Sequence, residues 1–376
     1  LILKIAVNTR LLLKNKLEGI GWFTFETLKR IVVQHPEHEF YFIFDRKYDP
    51  SFVFASNVTP LVAPPQARHP FLYFVWFEMI MPRVLKKIGA DIFLSPDGYL
   101  SLGSDVKQVA VIHDLNFEYY PKDIPFLERW YYRTFFPKYG QKATRIATVS
   151  EFSKSDLIKF YHVDSDKIDV VYNGANEIFQ PVSELEKVKT RAKFSLGCAY
   201  FISVGSVQPR KNIVNLLKAF EFFKSDGNSQ VKLLVVGNKK WWTKEMQQQL
   251  NQMKHQSDVI FTGRVDSNDL SRLIGSALAL TYVSYHEGFG IPILEAFGCD
   301  TPVITSAVTS MPEVAGDAAL LIDPFSPSSI ADAMKRIHSE DDLRNELVAL
   351  GHERLKLFSW QKTADALWKC IEKAAE

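Results

Sequence analysis

Arg210 and Lys211 stand side by side just after an apolar run, 200–204, that ends in Gly205. Arg offers a planar fork of donors that fits phosphate, and Lys a compact charge. Adjacent cations at a helix start oppose its dipole unless an anion arrives there. That weakens the competing reading, a solvated surface pair. Two carboxylates bracket a second segment, His286-Glu287-Gly288-Phe289-Gly290-Ile291-Pro292-Ile293-Leu294-Glu295. An ionised carboxylate accepts two hydrogen bonds from a ribose or sugar diol. Glycines in a turn let backbone approach a ligand closely. Pro292 marks the first turn of a helix, with Glu295 placed in that turn. A helix start presents unpaired N–H groups and partial positive charge, which suit a phosphate or a sugar edge. The plainer alternative is a strand–turn–helix in which Glu295 serves only the dipole. A third candidate is His113 in Val111-Ile112-His113-Asp114-Leu115, whose competing role is a buried histidine satisfied by a backbone carbonyl.

These groups need rigid elements behind them. Strand-like runs fall at 3–7, 40–44, 91–94, 108–112, 145–149 and 168–172. The pattern restarts at 200–204, 232–236, 259–262, 279–283, 302–305 and 319–322, with helical stretches such as 22–33, 213–223 and 269–276 between. Short β-branched runs separated by helices predict an α/β protein with parallel sheets covered on both faces. The restart predicts two Rossmann-like domains, 1–175 and 176–358. An amphipathic helix within 359–376 is expected to cross back to the first. Asn212 is the expected N-cap of the helix after the basic pair. In such sheets ligands bind beyond the carboxyl ends of strands, where His113, Arg210 and Glu287 all fall.

A net charge of +2 gives no general drive toward nucleic acid. Three cysteines, Cys198, Cys299 and Cys370, match no metal-site spacing and form no even disulfide set. A reducing cytoplasm is the expected compartment. No window approaches the ~18–20 apolar residues of a spanning helix, so attachment to the inner membrane face is the most a bilayer could offer. The aromatic segment 71–83 is read first as a core helix with snorkelling Lys86 and Lys87, and second as a membrane-surface or lipid-linked-acceptor patch. The run 130–136 has the same two readings.

Arg210-Lys211-Asn212 followed by Glu287 and Glu295 resembles the family 4 (group 1) retaining glycosyltransferases of the GT-B fold. Phe261-Thr262-Gly263-Arg264-Val265 resembles that family's nucleobase-side loop, and 310–319 its late helix-and-turn signature. Val171-Tyr172-Asn173-Gly174 resembles its interdomain linker, and Glu18-Gly19-Ile20-Gly21 its glycine loop. The resemblance implies two domains whose sheets face across a cleft, the first for the acceptor and the second for a nucleotide-sugar. It implies that Arg210 and Lys211 neutralise the leaving diphosphate and that Glu295 holds the ribose. Glu287, with the backbone of Gly288, Phe289 and Gly290, would contact the transferred sugar. Gly19, Gly21, Gly205, Gly263, Arg264 and Val265 would complete the donor site, and His113, oriented by Asp114, would lie near the reaction centre. No metal or other cofactor is implied, because the basic pair takes a metal's place. The local likeness is to mannosyltransferases of surface-polysaccharide assembly. It makes GDP-mannose the first donor expected, with UDP-sugars as alternative, and a saccharide or lipid-linked saccharide the acceptor.

Two other classes share this layout of elements. A sugar-nucleotide hydrolase, epimerase or binding protein could use the same fold, but the intact Arg210, Lys211, Glu287 and Glu295 argue against decay. A nicotinamide oxidoreductase would need G-x-G-x-x-G after the first strand, which residues 8–21 do not provide.

Overall fold

The computed structural model describes residues 2–376 apart from 226, 228, 229 and 240. It forms two compact units. One runs to Asn173 and takes in Trp360–Glu376; the other is Gly174–Ser359.

The first unit holds strands β1 (Lys4–Asn8), β2 (Glu39–Phe44), β3 (Val58–Val62), β4 (Ile92–Ser95), β5 (Lys107–Ile112), β6 (Arg145–Thr148) and β7 (Ile168–Val170). They lie in the order β3-β2-β1-β4-β5-β6-β7, and each neighbouring pair is parallel. Ile5, Val7, Phe93 and Val111 are fully buried, as strands covered on both faces must be. The strand absent from the sequence reading is β3, which carries Pro60. A proline cannot donate to a sheet ladder, and β3 escapes that penalty by lying at the edge.

Helix Trp360–Ala375 belongs to this unit. Its buried face includes Leu367, Trp368 and Ile371. Trp368 stacks on His35 at 3.7 Å between ring centroids, and Thr363 donates to the Tyr172 carbonyl at 2.7 Å.

The second unit holds β8 (Tyr200–Val204), β9 (Lys232–Val236), β10 (Val259–Gly263), β11 (Ala279–Tyr282), β12 (Val303–Ser306) and β13 (Leu320–Ile322). Their order is β10-β9-β8-β11-β12-β13, again with parallel neighbours. In each unit the strand order reverses once, between β1 and β4 and between β8 and β11. Connections on either side of such a point leave in opposite directions and open a crevice at the strands' carboxyl ends. No helix among the described residues is long and apolar enough to cross a membrane.

Candidate functional site

The β8/β11 crevice is where the second unit's chemistry collects. Arg210 and Lys211 lie in a short 3-10 turn, Pro209–Lys211, beyond β8, and Glu287 lies beyond β11. Arg210 Nη1 reaches Glu287 Oε2 at 2.5 Å, and Lys211 Nζ reaches Oε1 at 2.6 Å. Burial alone would push the Glu287 carboxyl up, but the charges of Arg210 and Lys211 override it and hold the group well below the usual carboxylate range. One carboxylate thus faces two cations, and the cluster keeps a net positive charge. Lys211 is fixed further by the Tyr282 hydroxyl at 2.8 Å, and burial raises that phenol well above its ordinary value. The Ser310 hydroxyl lies 2.9 Å from the Glu287 carbonyl and 3.0 Å from that of Phe289, and Thr309 Oγ1 accepts the Glu287 N–H at 3.3 Å. The loop is therefore held from the β12 side by residues whose role the sequence did not announce.

Bare backbone flanks the basic pair. Gly205 (φ 132°) follows β8, Gly237 (φ 149°) follows β9, and β10 ends at Gly263 (φ 73°). The Gly205 N–H donates to Val236 and the Gly237 N–H to Gly263, each at 2.9 Å. Past this floor Lys239 Nζ sits 3.6 Å from the Phe261 ring centroid and 4.7 Å from that of Trp242. Arg264 and Val265 follow β10 at the same sheet edge, Arg264 exposed. Gly237 was not singled out from sequence, although it follows its strand just as Gly205 does.

Two local expectations are revised. Helix Ile291–Gly298 begins one residue before Pro292, so Glu295 is its fifth residue and lies past the first turn. There desolvation raises its pKa to about 7, and no hydrogen bond or ion pair to its carboxylate occurs among the described residues. Asn212 stands at the N-cap position, its carbonyl accepting the Leu216 N–H at 3.1 Å, but without the extended backbone usual for a cap. It adopts a left-handed backbone (φ 59°), and its amide donates to the carbonyls of Val283 at 3.0 Å and Pro324 at 2.6 Å. It ties the basic turn to the ends of two other strands. The Phe289 side chain is buried against Phe358, leaving only its backbone to serve a ligand with Gly288 and Gly290. Gly290, at φ 110°, makes the turn into the helix.

In the first unit, Gly19 and Gly21 form no loop. Both belong to helix Gly19–Gln34, which starts three residues earlier than expected. A Cβ on Gly21 would stand 3.1 Å from the Leu11 carbonyl, so glycine there permits close packing. His113 follows β5. Its Nε2 lies 2.8 Å from the Pro96 carbonyl, which can only accept, so Nε2 carries the proton. Burial lowers its pKa, leaving a neutral ring with Nδ1 as an acceptor. Asp114 does not bond the ring; its Oδ1 accepts the Asn116 N–H at 3.1 Å. The ring is oriented instead by Pro96 and by the edge of Phe23, 5.0 Å between centroids.

The β1/β4 crevice of this unit holds a buried network that the sequence reading missed. Arg10 pairs with Asp97 at 2.6 Å, and Asn8 and Ser95 donate to the same carboxylate at 2.7 and 3.0 Å. The guanidinium lies over Tyr99 at 4.6 Å and Tyr73 at 5.1 Å. Asp97 adjoins Pro96, so this network braces the carbonyl that fixes His113. Asp164-Ser165-Asp166 is an Asp-x-Asp triplet that caps its own turn: Asp164 Oδ1 accepts the Asp166 N–H at 3.0 Å.

Comparison with known proteins meets this geometry at both units. Residues 186–354 match the family described as glycosyl transferases group 1, and residues 19–177 match glycosyltransferase family 4. The chain belongs to these glycosyltransferases. It is 29% identical over 367 residues to the O-antigen chain mannosyltransferase B of Escherichia coli, covering 93% of this glycosyltransferase and 94% of that one. It is also 29% identical to the O-antigen chain mannosyltransferase RfbU of Salmonella typhimurium, covering 77% of each. Anabaena Alr3699/HepE, solved with UDP and glucose, aligns with a TM-score of 0.77 at 15% identity over 98% of this chain and 99% of its own. That likeness carries the fold, which is the α/β GT-B type with parallel sheets of seven and six strands.

Proposed function

We propose that this glycosyltransferase moves a hexose, mannose from GDP-mannose, to a saccharide or lipid-linked saccharide in surface-polysaccharide assembly, with retention at the anomeric carbon and without a metal. The observation that carries the reading is the Arg210–Lys211–Glu287 cluster at the β8/β11 crevice, net positive and backed by strand-ending glycines. The names of the two mannosyltransferase relatives support the sugar.

A departing nucleoside diphosphate gains charge in the transition state, so fixed cations act there more than on the bound donor. Arg210 and Lys211 take that charge. The N–H groups of Gly288 to Gly290 serve the same anion or the sugar edge, and the Glu295 carboxylate accepts from the ribose hydroxyls. Glu287 is a poor nucleophile, since both its oxygens are held by cations. This supports attack on the same face. The acceptor oxygen bonds to the anomeric carbon as its bond to the diphosphate breaks, and the acceptor's proton passes to the leaving phosphate oxygen. His113 offers its Nδ1 to a sugar hydroxyl.

The test is release of nucleoside diphosphate from GDP-mannose and from UDP-sugars, with and without a saccharide acceptor and EDTA, with the product's anomeric configuration read by NMR. The reading expects acceptor-dependent turnover of GDP-mannose, unaffected by EDTA, giving the α-product. Turnover without acceptor would assign the site to a hydrolase or epimerase, and turnover confined to UDP-sugars would replace the donor.

Glu295 adds a pH signature. It must be ionised to accept two hydroxyl hydrogens, and its folded pKa is raised from 4.5 to about 7 by desolvation. Affinity for the nucleoside diphosphate is therefore expected to rise as pH climbs through 7, and Glu295→Gln should flatten the profile when followed by calorimetry. The unliganded protein should show the opposite slope. Because the folded state holds the proton more tightly than the unfolded chain, stability falls as pH rises from 4.5 through about 7.

A further inference from the structure

The aromatic segments of the first unit are neither purely core nor purely surface. Trp76, Phe77 and Met81 are buried, as the core reading of 71–83 requires. Phe71 and Phe74, on helix Pro70–Phe74, are 68% and 42% exposed. The same division occurs on helix Phe126–Lys142: Tyr131, Phe136 and Tyr139 face inward, while Phe126 (68%), Leu127 (48%) and Trp130 (55%) are exposed. The two sets meet at one ring. Phe74 and Trp130 both pack edge-on against Phe135, at 6.0 and 6.3 Å between centroids. Two helices distant in sequence thus present one apolar surface, where a lone exposed phenylalanine would need no explanation.

Charge selects what covers it. Helix Phe126–Lys142 carries Arg129, Arg133, Lys138 and Lys142 against a single acid, Glu128. Arg129 lies over the exposed Phe126 ring and Lys138 over Phe135, each at 5.5 Å to the centroid. A second copy of the chain meeting this face about a two-fold axis would set these cations against their own kind. A bilayer with anionic headgroups accepts both features. Phenylalanine and tryptophan settle at the boundary between headgroups and acyl chains, and lysine and arginine are drawn to the negative surface.

We propose that the face formed by Phe71, Phe74, Phe126, Leu127 and Trp130, rimmed by Arg129 and Lys138, docks the protein on an anionic lipid surface. The docking is peripheral and combines aromatic insertion with headgroup attraction, so neither part alone gives full binding. It is independent of the donor assignment, because none of these residues lies at the β8/β11 crevice or beside His113.

The experiment is co-sedimentation of the full chain with vesicles of phosphatidylcholine alone or mixed in equal parts with phosphatidylglycerol. It compares wild type with Phe126→Ser/Trp130→Ser, Phe71→Ser/Phe74→Ser and Arg129→Glu/Lys138→Glu, with light scattering on each. Wild type is expected to bind the mixed vesicles, to release with added salt, and to bind phosphatidylcholine weakly. Each double variant should lose about tenfold or more in partitioning, with unchanged melting temperature and unchanged turnover of donor with a soluble acceptor. Wild type that stays in the supernatant, or variants that partition like wild type, would overturn the proposal. A dimer that disappears in the same variants would assign the face to self-association and overturn it too.

Discussion

Replacing Lys211 by methionine is expected to lower kcat/KM by about 10²–10³-fold, with most of the loss in kcat, as is typical when one preorganised charge-stabilising group is removed. Lys211 Nζ is held by Glu287 and Tyr282 at 2.6 and 2.8 Å, so it needs no reorganisation when negative charge develops beside it. Its loss changes the cluster from two cations and one anion to a neutral pair, leaving no net charge for the departing diphosphate. Glu287 would still have Arg210, so the protein should remain folded. Truncating both partners in turn separates the roles. Glu287→Gln alone should lower activity by loosening the two cations, and Lys211→Met in that background should cost less than it does in wild type, the signature of coupled groups. Initial rates with melting curves provide the check. A Lys211→Met enzyme within a fewfold of wild type would remove the pair from the chemistry.

Much of this site was legible because its parts are local. Arg210 and Lys211 are adjacent, Glu287 and Gly290 share one loop, and the strands behind them are buried runs with no competing period. The helix at 360–375 was equally plain, since its apolar residues repeat at helical spacing. What stayed hidden depends on partners far along the chain. The Arg10–Asp97 network joins residues 87 apart in number across two neighbouring strands, and no window of sequence contains it. Asn212 precedes a helix and takes the cap position, but its left-handed backbone and the two distant carbonyls that its amide reaches are written in no neighbouring residue. Strand β3 was lost to Pro60, because a proline argues against a strand until the sheet order places it at an edge. Gly19 and Gly21 resemble a glycine loop in sequence, yet both lie in helix Gly19–Gln34, and at Gly21 the missing Cβ lets the Leu11 carbonyl approach.

Gly237 is the position where one methyl group is expected to do most damage. At φ 149° its backbone is one that other residues rarely adopt, and a Cβ built there would stand 1.9 Å from the Gly205 carbonyl oxygen. Backbone rather than a flexible side chain blocks it, so the β8 and β9 ends must part. That would strain two hydrogen bonds, Gly205 N–H to Val236 and Gly237 N–H to Gly263. Gly237→Ala is therefore expected to destabilise the second unit by about 3 kcal/mol or more, combining backbone strain with steric displacement. Scanning calorimetry should show a midpoint lower by about 6 °C or more for a unit of this size. Activity should fall further than stability alone explains, because Gly205 leads directly into the turn that carries Arg210 and Lys211. The contrasting substitution is Gly19→Ala, where no atom lies within 4 Å of the added Cβ; it should leave the midpoint unchanged or raise it, by restricting the unfolded chain. If both substitutions moved the midpoint alike, the close approach of β8 and β9 would not be the constraint that shapes this edge.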